Sequence, residues 1–226
     1  MCGRFTLFTS KDWVREQFGI DKLPDFTNQF NIAPSQMVLA IVAVDNQWHV
    51  VLFRWGLIPF WATDKKIGNK FANARSETVT VKPAFRRSFQ SKRCLMLMSG
   101  FFEWQQRLGM KQPYYIESVK RDELLTVAAL WDSWQAPGEE DVIQSCCLLT
   151  TSANEMMRPI HDRMPVILTE KEQQAWLNCN SSINELTSLL VPYAGTDLHC
   201  YPVSTKVNNS RYQGVDTINP IQLQSD

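Results

Sequence analysis

The chain has 226 residues, enough to bury a large core and in the range where one domain is more usual than two, so a single domain over residues 1–226 is expected. Its 44% hydrophobic and 20% charged residues are an ordinary globular composition, and 23 basic side chains balance 23 acidic ones, so a nucleic-acid partner has to be argued from individual residues rather than from net charge. No apolar run approaches the length of a bilayer span and the N-terminus MCGRFTLFTS lacks a secretory core, which excludes a membrane helix and a leader and points to a cytoplasmic protein, nucleoid-associated in a bacterium.

In chain order, Ser10 opens a helix that Gly19 ends, because a hydroxyl accepts from a free first-turn N–H and glycine tolerates a left-handed stop. Residues 37–44 and 48–55 are apolar and β-branched and form a hairpin across Asp45-Asn46-Gln47. A second helix is expected over 83–89, followed by strands at 94–99, 114–117, 124–131 and 143–151, with an acidic loop at 136–141. A strand at 166–168 precedes two polar surface helices, opened by the capping-box pairs Thr169/Glu172 and Ser182/Glu185, and a last strand covers 199–203. Strands dominate and helices are peripheral, so the fold class is α+β, predominantly antiparallel, with a barrel-like curved sheet.

Six scattered cysteines form no disulfide framework and no metal-ligand spacing, so neither a metal nor a cofactor is expected. Cys2 stands apart. A small second residue permits loss of Met1, which leaves an α-amine and a thiol on one carbon. Both have appreciable nucleophilic populations near neutrality, with reference pKa values of about 7.7–8.0 and about 8.5. An aldehyde condenses with the amine to an imine, and the thiol then closes a five-membered thiazolidine. Gly3 lets the backbone approach a ligand closely, and Arg4 offers a cation to a phosphate. The alternative reading of Cys2 is a small buried residue.

Three further side chains carry chemistry of the right kind. Asn73 offers a carboxamide that donates and accepts, or else serves a local turn. Glu103, set among aromatics in Gly100-Phe101-Phe102-Glu103-Trp104, would have its pKa raised by burial and shuttle protons near neutrality; otherwise it is a structural ion-pair partner. His161 titrates near neutrality beside Asp162 and Arg163, or is a hydrogen-bonded loop residue. Phe60 and Trp61 offer a base-stacking or wedging surface, and Arg4, Arg75, Arg86, Arg87 and Lys206 offer cations for phosphates.

Together these segments resemble the SRAP family of abasic-site processing proteins. The resemblance rests on MCGRF at residues 1–5, Asn31-Ile32-Ala33-Pro34, Arg54-Trp55-Gly56-Leu57-Ile58-Pro59, Asn73-Ala74-Arg75-Ser76-Glu77 and Gly100-Phe101-Phe102-Glu103-Trp104. It continues through Thr150-Thr151-Ser152-Ala153-Asn154, Ile160-His161-Asp162-Arg163-Met164-Pro165 and Val203-Ser204-Thr205-Lys206-Val207-Asn208. It implies a β-rich domain with a groove for single-stranded DNA, and a monomer that crosslinks itself to abasic sites through processed Cys2. In that scheme Asn73 orients the nucleophile and the sugar, Glu103 handles protons, and His161 assists ring opening and imine chemistry. Arg4, Asn31, Pro34, Trp61, Arg75, Arg86 and Lys206 then serve the DNA path. Strand-cleaving lyase activity and self-removal of Met1 belong to the same chemistry. Two competing functions are a cysteine peptidase or amidase using Cys2, and a non-enzymatic single-strand-binding module.

Overall fold

In the computed structural model, residues 2–223 are described apart from 108, 121 and 137; Met1, whose loss the sequence predicts, and Pro137 of the acidic loop lie outside the described residues. The chain forms β1 (Arg4–Leu7), α1 (Lys11–Phe18), β2 (Gln29–Ile32), β3 (Met37–Val44), β4 (Gln47–Trp55), β5 (Asn73–Arg75), α2 (Arg86–Ser91), β6 (Arg93–Met98) and β7 (Gly100–Arg107). It continues with β8 (Met110–Ser118), β9 (Leu125–Gln135), β10 (Val142–Ser152), β11 (Arg163–Pro165), α3 (Glu170–Leu177), α4 (Ile183–Ser188) and β12 (Leu198–Pro202). The fold is α+β and mostly antiparallel, as the sequence predicts.

Local chemistry explains the best-matched elements. Ser10 accepts the Trp13 N–H at 3.0 Å, and Gly19 ends α1 with φ at +65°. Asp45 and Asn46 both have positive φ, the requirement of a two-residue primed turn, which places Gln47 already in β4. Both capping boxes form, and α3 exposes Glu170, Lys171 and Gln174 on one face while the other packs inward, where fully buried Trp176 donates its Nε1 proton to Cys94 O at 3.0 Å. The strand expected at 166–168 is instead β11 at Arg163–Pro165, and Ile167 keeps a single bridge to Val127.

Five strands close into a ring. β4, β3, β6, β9 and β10 pair in that order, and β10 returns to β4 in parallel at Ser145 and Arg54, and Cys146 and Trp55. Closure removes sheet edges. Fully buried Phe53, Leu95, Met96, Val127, Ala129 and Leu148 belong to the main apolar core, where each large aliphatic side chain contributes roughly 1.5–3 kcal/mol relative to exposure. A second sheet, ordered β12-β8-β7-β1-β2, holds the N-terminal strand β1 between β7 and the edge strand β2. Among the described residues no helix is long and apolar enough to cross a membrane.

One crossing fixes the segment that leads from β4 into β5. Gly56 has φ at +120°, and a Cβ there would lie 2.6 Å from Gly68 O, while Arg54 Nη1 donates to Gly56 O at 3.2 Å. Gly56→Ala combines a forbidden dihedral with a backbone collision, so it is expected to destabilise the protein by about 3 kcal/mol or more, read as a lower urea midpoint at unchanged slope.

Candidate active site

Cys2 reaches its place through the register of the second sheet. Arg4 pairs with Phe102 and Phe5 with Phe101, so continuing that antiparallel line sets Gly3 opposite Glu103. An acid about a hundred residues away in sequence thus becomes the neighbour of the N-terminal segment. Cys2 is fully buried, and its Sγ donates weakly to Arg4 O at 3.7 Å.

Asn73 comes from the other sheet. It lies in β5, parallel to β10 with Asn73 opposite Leu148, and the preceding residue is pinned by Trp55 Nε1 and Leu148 N, which donate to Ala72 O at 2.9 and 3.1 Å. From this frame Asn73 Nδ2 donates to Cys2 O at 2.8 Å. Its Oδ1 is buried and accepts no hydrogen bond from any described residue, leaving an acceptor beside Cys2.

His161 is brought in by the loop between β10 and β11. Ala153 N donates to Asp162 O at 2.9 Å and His161 N to Met157 O at 2.9 Å, closing the loop, and Gln105 Nε2 of β7 ties it down through Pro159 O at 3.0 Å. Glu103 and His161 consequently line one open cleft of about 590 Å³, together with Arg4, Trp104, Gln106 and Asn208.

Electrostatics divides the labour. Burial raises the Glu103 carboxyl to about 7, helped by the negative Asp162, so it exchanges protons near neutral pH. Burial also pushes the Cys2 thiol well above its usual range, and the charge of Glu103 pushes it further. A thiol held protonated is a poor first nucleophile. His161 Nδ1 faces two partners with opposite demands: Arg163 N–H donates to it at 3.0 Å, which needs a free lone pair, while Asp162 Oδ1 at 2.9 Å favours a proton there. Asp162 is 86% exposed and therefore screened, and burial lowers the imidazole pKa, so the neutral tautomer with its proton on Nε2 prevails.

The remaining residues singled out from sequence are spread around this centre. Arg4 Nη1 donates to Asn31 Oδ1 at 2.8 Å and to Val207 O at 2.7 Å. Asn31 is wholly buried, its amide committed to backbone carbonyls of the C-terminal region. Pro34 sits in the turn after β2, beside Ser35 with φ at +80°. Phe60 and Trp61 are 48% and 46% exposed, and the Arg87 guanidinium lies 4.0 Å above the Phe60 ring, an aromatic-cation surface open to solvent. Arg75 is exposed just after Asn73, and Arg86 is exposed at the start of α2. Lys206 is drawn into an ion pair with Asp216 at 2.7 Å, so its charge is partly neutralised. Trp104 and Asn208, which the sequence motifs include without a role, line the cleft, as do Gln106 and Lys111, which no motif includes. Glu77, likewise in a motif without a role, holds the Arg163 guanidinium on two sides with its carboxylate. Recognising 100–107 as a strand would have placed Trp104 and Gln106. Among the described residues no group of three or more His, Cys, Asp or Glu could hold a metal ion.

Comparison with known proteins gives consistent relatives. The model of the family described as SOS response associated peptidase (SRAP) matches residues 1–210. "Abasic site processing protein YoqW" of Bacillus subtilis is 43% identical over 224 residues, covering 96% of this chain and 99% of the relative. "Abasic site processing protein HMCES" of Xenopus tropicalis is 37% identical over 180 residues, covering 70% of this chain and 53% of that longer protein. A crystal structure of a Bacteroides thetaiotaomicron protein superposes with a TM-score of 0.87 at 26% identity, covering 98% of this chain and 100% of the other.

Proposed function

Because the chain belongs to the SOS response associated peptidase (SRAP) family, we propose that it processes abasic sites in DNA, capturing their aldehyde covalently on the amine and thiol of Cys2 in single-stranded DNA. The observation that carries this reading is the convergence on Cys2 of an anchoring amide, Asn73, and a carboxyl that exchanges its proton near pH 7, Glu103.

With Met1 gone, the neutral α-amine attacks the aldehyde carbon of the opened sugar. The carbinolamine loses water as protonated Glu103 gives its proton to the departing hydroxyl, and the resulting iminium returns its N–H proton to the Glu103 carboxylate, leaving an imine. The Cys2 sulfur then bonds to the imine carbon, the thiol proton passes through Glu103 to the imine nitrogen, and a thiazolidine results. Aldehyde and Cys2 become adduct and water, with no oxidant or reductant required. Amine-first order follows from the raised thiol pKa. Ring opening moves a proton from the C1 hydroxyl to the ring oxygen, a transfer that the His161 imidazole is suited to relay. Deprotonation at the carbon next to the imine would give strand cleavage by the same intermediate. Phe60, Trp61, Arg75 and Arg86 supply stacking and cationic contacts to the strand.

A cysteine-peptidase reading has less behind it, since it needs the thiol to attack first and burial pushes the Cys2 thiol pKa up. A single-stranded oligonucleotide with one abasic site, run on a denaturing gel after incubation, should yield a retarded band that an intact oligonucleotide does not. Equal non-covalent binding of both strands would favour a plain binding module, and peptide turnover without adduct a peptidase. Asn73→Ala removes the hydrogen bond to Cys2 O and the open acceptor beside it, and is expected to slow adduct formation by roughly 10–100-fold while changing stability by only about 1 kcal/mol.

A further inference from the structure

The ladder between β1 and β7 starts at Arg4, so it does not itself hold Cys2 and Gly3. What grips the two walls of the cleft is the C-terminal stretch 204–218. Arg4 donates to Val207 O at 2.7 Å and to Asn208 O at 3.4 Å, and Trp104, the residue after Glu103, donates its Nε1 proton to Asn208 Oδ1 at 2.7 Å. One strap therefore touches the residue two beyond the nucleophile and the residue next to the acid.

The strap is in turn fastened to β2. The Gln213 carboxamide reads the free edge of that strand: Oε1 accepts from Phe30 N and Asn31 N, each at 3.1 Å, and Nε2 donates to Asn31 O at 3.0 Å. Thr217 Oγ1 donates to Phe30 O at 3.0 Å. Asn31 returns the grip, its Nδ2 donating to Asn209 O and Tyr212 O at 2.9 Å and to Val207 O at 3.2 Å, while its Oδ1 accepts from Arg4. Inside the strap, Asp216 accepts from Lys206 at 2.7 Å and from Tyr212 at 2.6 Å. Covering a sheet edge would need only the Gln213 and Thr217 contacts. The polar ends of Arg4 and Trp104, both reaching from the cleft to the same strap, ask for a second role.

We propose that Gln213, beyond the residues matched by the family model, is a positioning residue for the Cys2 reaction, acting through Asn31, Arg4 and Asn208 to fix the spacing between Cys2 and Glu103. This rests on the capture of abasic sites argued above. Misplacement of reacting groups by a fraction of an ångström to 1 Å costs up to about 100-fold in rate, and loosening one brace of several belongs at the lower end, near tenfold.

The test is single-turnover capture of an abasic oligonucleotide by wild type, Gln213→Ala, Gln213→Glu and Thr217→Val, with hydrogen exchange of segments 2–7 and 100–107 followed in the same proteins without DNA. Gln213→Ala should lower the limiting rate constant by about tenfold, leave the half-saturating DNA concentration within about twofold, and speed exchange in both segments by about tenfold. Gln213→Glu keeps the acceptor for both N–H groups but sets a carboxylate oxygen against Asn31 O, and should recover only part of the rate. Thr217→Val removes a single hydroxyl from the same fastening and should give a smaller effect of the same kind. A Gln213→Ala protein with lower adduct yield but an unchanged rate constant in its folded fraction would overturn the positioning role, as would unchanged exchange. If the wild-type protein itself forms no adduct, the underlying reading falls and the strap's catalytic role falls with it.

Discussion

Cys2→Ala is expected to reduce the stable adduct to background while preserving an imine that borohydride can trap. Alanine is small enough for Met1 still to be removed, so the variant keeps the α-amine and loses only the sulfur. The amine can still condense with an aldehyde, but no second nucleophile on the same carbon closes the ring, and the imine hydrolyses unless reduced. Wild type and variant should therefore differ strongly on a gel without borohydride and converge with it. Loss of both species in a folded variant would mean that sulfur attacks first, against the direction of the thiol pKa. Protein that retains Met1 should behave worse than Cys2→Ala, since its Cys2 nitrogen is an amide and makes no imine.

Glu103→Gln is the second large effect, with an expected rate loss of roughly 10²–10⁴-fold at neutral pH, because among the described residues that line the cleft Glu103 supplies the carboxyl to give and take the protons. The pH profile separates this role from a structural one. Glu103 titrates at about 7 and acts as an acid in imine formation, so the wild-type rate should fall as pH rises beyond 7, while the amine must lose its proton for the rate to rise from the acid side. The variant should keep the amine-dependent rise and lose the fall. The same carboxyl is linked to stability. Its folded pKa lies above the ordinary 4.5, so the folded state binds the extra proton; the associated stabilisation is complete below 4.5 and disappears as pH climbs through 7. Over that window wild type should lose about 3 kcal/mol relative to Glu103→Gln, measured by urea denaturation at each pH. A flat difference would show that the carboxyl is not buried as described.

How much of this was legible in the sequence depended on whether a signal was local. The hairpin of β3 and β4, the capped start of α1 and both capping boxes follow from side chains meeting backbone within a few residues, and they appear as expected. Strands β1, β2 and β5 are only three or four residues long and carry no alternation to detect; they exist because β7 and β10 offer them edges. The strand Gly100–Arg107 was missed for a related reason, since it runs buried and then polar without a period of two. The motif residues were visible as residue types, and the register of β1 against β7 and of β5 against β10 could come only from folding. Lys206 illustrates the limit: a cation in sequence, it is paired with Asp216 in space.

The primed turn at Asp45 and Asn46 has a practical side. With the reaction proposed to begin at the amine of Cys2, a purification handle or dye cannot hang there, and the last described residues, up to 223, follow directly on the strap. The hairpin tip is exposed, tolerates left-handed backbone, and projects from Trp55 by nine residues of strand, about 30 Å. Trp55 itself stands beside the Asn73 segment, so that length is a measure of insulation. A label grafted between Asp45 and Asn46 should report on the molecule without altering what Cys2 does, and would let single molecules be watched as they take hold of DNA.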